Sequence, residues 1–489
     1  MKLLYKIPVP AIIFLLCIAT RLPLLTDPGL MLDGDECVVA LMAKHAYLGK
    51  ELPVYFWGQN YGFSLIEVLF ILPFYAVMGI NTLAVKLAML CFWGLGVAFL
   101  YKAMLQINRR HKVLALLFAL IIILCPAWVN WSIKARGGYL TSFTLSSVVL
   151  YLLFYQRRIN EYIRFAAIGL LVCLVYESQP FWLAGLLPLL LFRIVERGSW
   201  RPALACMAAS VVVWMLLLVA KTGVTEIYGI HPPAMTMDVI KAAIIRFPEY
   251  VYKSLQGNYI FAWHQDTNSY YTSFAKIFTV LIFLTGLLGL LHLLFNRKGF
   301  GLFIAATLFI PLVVGYSMLT ETMEGRYMLP LTGYTLLAVY IYMNRLNLSV
   351  PVHLGATYLV IAAAIATLMY PMRTQTMYHR QALEESLEYL NKQGVRYVYA
   401  TDCMLPWEVM FYSDEKILGR MFYFPGRYPV YDTMVDRALC GGEKTAVIGY
   451  WRAYAGLELD TIDRETQYFI STNPTKEVLE KAFQFPLGE

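Results

Sequence analysis

The sequence predicts a polytopic α-helical membrane protein that ends in a small extracytoplasmic α/β domain. Three observations predict it. Hydrophobic residues make up 59% of the 489-residue chain and charged residues only 15%, against roughly 25% charged in soluble domains. Apolar runs of membrane-spanning character recur as far as residue 371. Beyond that point the pattern changes to strand-like runs bounded by two polar helical segments.

The elements follow in order. "MKLLYKIPVPAIIFLLCIATRLPLL" has the charge pattern of a signal peptide but no small-x-small cleavage site, and is read as a retained first span at 8–25. Further spans are expected at 82–105, 113–131, 139–155, 163–177, 180–195, 202–220, 278–295, 299–319, 327–343 and 350–371. The run "SLIEVLFILPFYAVMG" (64–79) is shorter. As a helix it reaches only ~24 Å, against ~30 Å of hydrocarbon core, and it carries Glu67 and Pro73.

Charge decides how that run is read. If it lies along the outer surface, the basic clusters "NRRHK" (108–112), "QRRINEYIR" (156–164), "RIVERGSWR" (193–201), "NRKG" (296–299) and "MNRLN" (343–347) all fall on the side of Met1–Lys6. The positive-inside rule makes that side the cytoplasm. The reading is therefore eleven spans, or twelve if 64–79 is a short tilted crossing. The domain expectation is a transmembrane unit over 1–371, with a first outer loop at 26–80 and a long outer loop at 221–277, then an outer α/β domain over 372–489.

In that tail, "QALEESLEYLNKQG" reads as a helix ending on Gly394. "VRYVYAT", "PWEVMFYS", "KILGRMFYF", "TAVIGYW" and "TQYFIST" read as strands, and "NPTKEVLEKAF" as a closing helix. Packing or docking is the plainer role for this domain, against a part in catalysis.

Composition excludes some functions. The net charge of +8 sits in short loops between apolar runs, so nucleic acid is not an expected partner. No Walker sequence and no G-x-G-x-x-G after a strand occurs, so nucleotides are not expected as direct substrates. Eight cysteines show no metal-ligand spacing. Cys403 and Cys440 share the tail and are able to pair if it lies in an oxidising compartment.

The chemistry-bearing residues gather on the outer face. "DGDECVVALMAKHAYLGK" opens a helix with Asp33 at the N-cap and Glu36 at N3, a capping box, and Asp35 in the first turn complements the helix dipole. Capping alone accounts for all three acids. The same acids also suit group transfer, because a carboxylate takes the proton from an attacking hydroxyl. Arg136 and Arg326 offer planar donor forks for a phosphate leaving group, and a snorkelling headgroup anchor is the competing reading of Arg326. His264, in "FAWHQDTNSYYTSF", lies among aromatics that suit either a lid or the headgroup zone.

These motifs resemble a family. The acid opening after the first span, "YFWGQNYGFSLIEVLFILPFYAVMGINTLAVKLAML", "WSIKARGGYLTSF" and "EGRYMLPL" are similar, in order and sidedness, to elements of C-type (GT-C) membrane glycosyltransferases such as protein O-mannosyltransferases and lipid A aminoarabinose transferases. The likeness spans most of residues 1–345. The family's His-Pro-Pro-like element is missing, and "GQNYGFSLIE" stands in its place.

The resemblance implies a GT-C fold and an inverting transfer from a polyprenyl-phosphate sugar to an envelope glycan, lipid or protein acceptor. It implies a seat in a bacterial inner (plasma) membrane with the site and tail facing the periplasm or exterior. Asp35 and Glu36 match the family's catalytic acids, with Asp35 as base. Arg136, Arg326, Tyr327 and His264 are then the phosphate-binding set. Asp33, Gln59, Tyr61, Glu67, Tyr139 and Glu324 are the expected substrate pocket. A divalent cation, Mg²⁺ or Ca²⁺, on Asp35 and Glu36 fits acids beside a phosphate, although arginine is able to balance that charge alone. A transporter of lipid or glycan, a non-catalytic envelope scaffold, and a ligase or polymerase of longer lipid-linked glycans are the competing functions.

Overall fold

The computed structural model describes residues 8–221 apart from 109–111, 125, 156–158 and 199. It also describes 236–242, 245, 329–330, 333–334, 337, 340–341, and 375–483 apart from 423–424, 451–459 and 464–467. The expected spans at 278–295, 299–319 and 350–371 lie outside the described residues, as does most of 327–343.

The N-terminal part is helical. α1 (Val9–Ala19) stops at Thr20, and α2 (Leu22–Leu25) follows at once. The expected single span is thus broken. Pro23 lacks the N–H that would continue the helix, and the Thr20 hydroxyl bonds back to the Leu16 carbonyl at 2.9 Å. Arg21 turns inward at the break. It is fully buried, donates to Ser132 Oγ at 3.0 Å and the Ile123 carbonyl at 2.7 Å, and lies over the Trp93 ring.

α3 (Gly34–Tyr47) and α4 (Leu65–Met78) follow, then α5 (Thr82–Ile107), which Asn81 caps by accepting the Ala84 N–H at 2.9 Å. The run expected at 113–131 divides into α6 (Lys112–Leu124) and α7 (Pro126–Trp131). Pro126 opens the second piece, where a missing N–H costs no helical bond. α8 (Tyr139–Phe154), α9 (Glu161–Ser178), α10 (Phe181–Arg197) and α11 (Arg201–Lys221) match the expected runs to within two residues at each end.

α5 and α11 are long and apolar enough to cross a membrane. α11 packs on α9 where Gly169 lets the Cys206 carbonyl come within 2.0 Å of the place a Cβ would take. Its outer face is bare and apolar: Met207, Val211, Val212, Leu216 and Val219 are 56–70% exposed. A soluble protein rarely leaves such a stripe in water, and a bilayer covers it without loss.

The tail is a small α/β unit. α12 (Gln375–Lys392) leads through Gly394, at φ +69°, into β1 (Tyr397–Ala400). Then come α13 (Leu405–Tyr412), β2 (Leu418–Met421), α14 (Pro429–Cys440), β3 (Thr445–Tyr450), β4 (Asp460–Asp463), β5 (Tyr468–Thr472) and α15 (Lys476–Phe483). The sheet order is β2-β1-β3-β5-β4, parallel across β2-β1-β3 and antiparallel beyond.

"PWEVMFYS" is therefore a helix and not the expected strand. An eight-residue run is too short for period to separate the two. Pro406 in the first turn and the i, i+3, i+4 set Trp407, Met410 and Phe411 fit a helix. α14 and β4 were not expected. Cys403 and Cys440 are both exposed, free thiols.

The tail is not a separate body. α13 seats on the start of α3, and the Tyr412 hydroxyl accepts the Leu32 N–H at 2.7 Å and meets Thr82 Oγ1 at 3.2 Å. Lys44 pairs with Asp414 and Glu415, each at 2.7 Å. His45 meets Glu415 and the Tyr431 hydroxyl, both at 3.0 Å. Trp57 stacks on Tyr428 with centroids 4.4 Å apart. One core cluster runs from the helical bundle into α13 and α14.

The seat leaves no room at Gly34, where a Cβ would sit 2.5 Å from Met404 Cβ and 2.6 Å from its backbone. Gly34→Ala should therefore destabilise. An overpacking cost of ~1–3 kcal/mol exceeds the helix-propensity gain of ~1 kcal/mol. Thermal unfolding of the purified variant checks this, and a midpoint at or above that of the parent would contradict the tight seat.

Candidate active site

The site is built on the first turn of α3. Asp33 is extended at the N-cap, its Oδ1 accepts the Glu36 N–H at 3.1 Å, and Glu36 Oε2 accepts the Asp33 N–H at 3.2 Å. This is the capping box that the sequence shows. It fixes the turn that carries Asp35.

Glu36 faces the interior and is 1% exposed. Lys86 on α5 donates to its two oxygens at 2.6 and 2.8 Å, and Lys134 Nζ lies 3.6 Å away. A buried carboxylate is tolerated only when paired in this way. Asp33 pairs with Lys134 and, at 3.4 Å, with Arg136 Nε. Burial would raise the Asp33 carboxyl, but Arg136, Lys134 and Lys86 outweigh it and hold the group well below the usual carboxylate range.

Asp35 is placed differently. Its side chain is 14% exposed, and its two oxygens face two guanidiniums from distant segments. Arg136 Nη2, from the loop between α7 and α8, lies 3.2 Å from Oδ2. Arg427 Nη2, from the loop before α14, donates to Oδ1 at 3.3 Å. Arg136 rests near the Trp131 ring, and Arg427 stands 4.8 Å over the Phe56 ring. Among the described residues, Lys86, Lys134, Arg136 and Arg427 thus pair with Glu36, Asp33 and Asp35. Two of these cations are the planar forks that suit phosphate.

The structure brings Asp33, Asp35, Glu36 and Arg136 together. Glu67 is elsewhere: it is fully buried beneath the Arg136 loop, where its Oε1 accepts the Gly138 N–H at 2.8 Å and the Thr141 hydroxyl at 3.3 Å. Burial pushes its carboxyl up to about 7 against the pull of those donors. Gln59 and Tyr61 are half-buried on the loop that Gly62 and Phe63 tie to the Glu177 carbonyl at 3.0 Å. Tyr139 is buried against Trp131 and Phe181. His264, Glu324, Arg326 and Tyr327 lie outside the described residues.

Three site residues escaped the sequence reading. Lys86 carried a signal, since a lysine in an apolar run is costly and usually has a partner. Lys134 stands two residues before Arg136 in "WSIKARGGYLTSF". Arg427 had no local signal.

A divalent cation fits this donor set poorly. Asp33, Asp35 and Glu36 each already face lysine or arginine. No group of three His, Cys, Asp or Glu side chains poised for a metal occurs among the described residues.

No protein-family model and no curated protein matches the chain. Its backbone is similar to that of ArnT from Cupriavidus metallidurans bound to undecaprenyl phosphate, at TM-score 0.48 and 12% identity over 95% of this chain and 98% of that one. It is also similar to the arabinofuranosyltransferase AftD from Mycobacteria, at TM-score 0.47 and 14% identity over 80% of this chain and 29% of that one. A third similar structure is the Archaeoglobus fulgidus oligosaccharyltransferase, at TM-score 0.48 and 11% identity over 91% and 68%. Likeness at this score and identity assigns no activity.

The Glu36–Lys86 pair yields a sharp expectation. Lys86→Met leaves a buried carboxylate short of its main partner and should cost ~3–5 kcal/mol. Adding Glu36→Gln removes the stranded charge and should restore part of that loss. Unfolding of the single and double variants checks both, and equal losses in the two would show that the pair is not coupled.

Proposed function

We propose that this chain is a membrane glycosyltransferase that moves a sugar from a polyprenyl phosphate to an acceptor hydroxyl on the outer side of the membrane. The observation that carries the reading is Asp35, a partly exposed carboxylate shared between two arginine forks. The order of motifs that resembles GT-C enzymes supports it, as does the apolar outer face of α11.

The chemistry follows from the charges. The donor's phosphate competes with Asp35 for Arg136 and Arg427. As the guanidiniums turn to the phosphate, lone pairs of Asp35 are released toward the acceptor. The acceptor oxygen forms a bond to the anomeric carbon from the face opposite the phosphate, and its proton passes to Asp35. The bond from the anomeric carbon to the phosphate oxygen breaks with its electron pair, so the sugar inverts and the lipid leaves as polyprenyl phosphate. The two arginines stabilise the charge that grows on the leaving oxygen.

Asp33 and Glu36 are positioning residues in this scheme, fixed by Lys134 and Lys86. Arg326, Tyr327 and His264 remain proposed further contacts to the donor. Charge balance comes from lysine and arginine, so the proposed reaction proceeds in a chelator. The sugar and the acceptor class stay open in this proposal.

The test uses purified protein, a decaprenyl-phosphate hexose and envelope extract as acceptor. The parent should transfer sugar, with or without EDTA. Asp35→Asn should fold normally and lose transfer by ~10²–10⁴-fold, the range of a general base. Full transfer by Asp35→Asn would remove Asp35 as the base, and uptake of a solute with no transfer would favour a transporter.

A further inference from the structure

We infer that Glu67 is a positioning residue: from α4 it supplies the N-terminal cap of α8 and so holds Arg136 against Asp35. The inference rests on the reading of Arg136 as a phosphate clamp only for its functional consequence.

The start of α8 needs an outside acceptor. A helix leaves its first N–H groups without helical partners. The residue before α8 is Gly138, at φ +102°, which has no side chain with which to cap. Neither it nor Gly137, at φ +59°, is easily exchanged for a residue that has one. A Cβ at Gly138 would meet Ser178 at 2.9–3.0 Å, and one at Gly137 would meet the Phe56 ring at 2.8 Å.

Glu67 fills the role across space. Its Oε1 accepts the Gly138 N–H and the Thr141 hydroxyl, and the backbone N–H groups of Gly137 and Thr141 also face it. The acceptor oxygen alone satisfies these N–H groups, which have no helical partner. Gln179 holds the other side of the turn by donating to the Gly137 carbonyl at 3.3 Å. The loop from Ser132 to Gly138 is therefore pinned at its C-terminal end by a carboxylate from a different helix. Arg136 stands two residues before that pin, and Lys134 four. The sequence pattern that reads as a possible replacement for a missing substrate contact is thus the device that shapes the arginine loop.

The test follows Arg136 directly. Its side chain is 3% exposed, so phenylglyoxal should modify it slowly in the full-length parent. Mass spectrometry at Arg136 and binding of decaprenyl phosphate are measured for the parent, Glu67→Gln, Glu67→Ala and Glu67→Asp. Gln keeps an acceptor oxygen at the Gly138 N–H. The other Glu67 oxygen has no hydrogen-bond partner among the described residues, so the amide breaks no hydrogen bond there. Glu67→Gln should therefore protect Arg136 as the parent does.

Glu67→Ala should expose Arg136 and weaken phosphate binding by ~10–100-fold, the range of outer-shell partners elsewhere. A folded Glu67→Ala with Arg136 as protected as in the parent overturns the inference. If the alanine variant does not fold, Glu67→Asp decides. Its carboxylate is one methylene short of Gly138, so parent-like protection of Arg136 overturns the inference and faster modification supports it. Exposed Arg136 with unchanged phosphate affinity supports Glu67 as the positioning residue and removes Arg136 as a phosphate clamp.

Discussion

The buried charge of Glu36 is the constraint on which the rest of the site depends. A carboxylate that is 1% exposed must be met by fixed cations, because leaving it short of a partner costs several kcal/mol. Lys86 meets it from α5 and Lys134 from the loop before α8. Two segments distant in sequence are thereby locked to the first turn of α3. The capping box then transmits that fixed position to Asp33 and sets where Asp35 emerges. In the proposed scheme Asp33 and Glu36, each paired with lysine, hold Asp35 at a defined edge.

The tail belongs to the same construction. Its helices share a core cluster with the bundle, and Lys44, His45 and Trp57 bind it to the first outer loop. Asp414 and Glu415 hold positive φ at the turn that receives Lys44, a conformation that non-glycine residues adopt only where surroundings enforce it. The docked tail places Arg427 at Asp35. A charge at the candidate site thus depends on a domain for which packing alone was the plainer role.

Much of this was legible in the sequence because it is local. The capping spacing of Asp33 and Glu36, the apolar runs of α5 and α8 to α11, Gly394 as a helix terminator, and four of the five strands are all written within a few residues of where they act. The misreadings have physical causes. Pro23 and Pro126 break runs that hydropathy treats as continuous. "PWEVMFYS" is too short for period to separate helix from strand. The Arg427–Asp35 pair joins residues 392 apart, and no local pattern reports a contact of that kind. Glu67 is visible as a charge in an apolar run, but its partner is a helix end, which sequence does not display.

In the proposed reaction a lipid phosphate and the Asp35 carboxylate compete for the same two guanidiniums. Decaprenyl-phosphate affinity measured by titration calorimetry on the parent, Asp35→Asn and Arg427→Met tests it most directly. Removing the carboxylate takes away a competitor and a like charge, so Asp35→Asn should bind the phosphate at least as tightly as the parent, while Arg427→Met binds it more weakly. Weaker binding by Asp35→Asn, to the same degree as by Arg427→Met, would contradict the account.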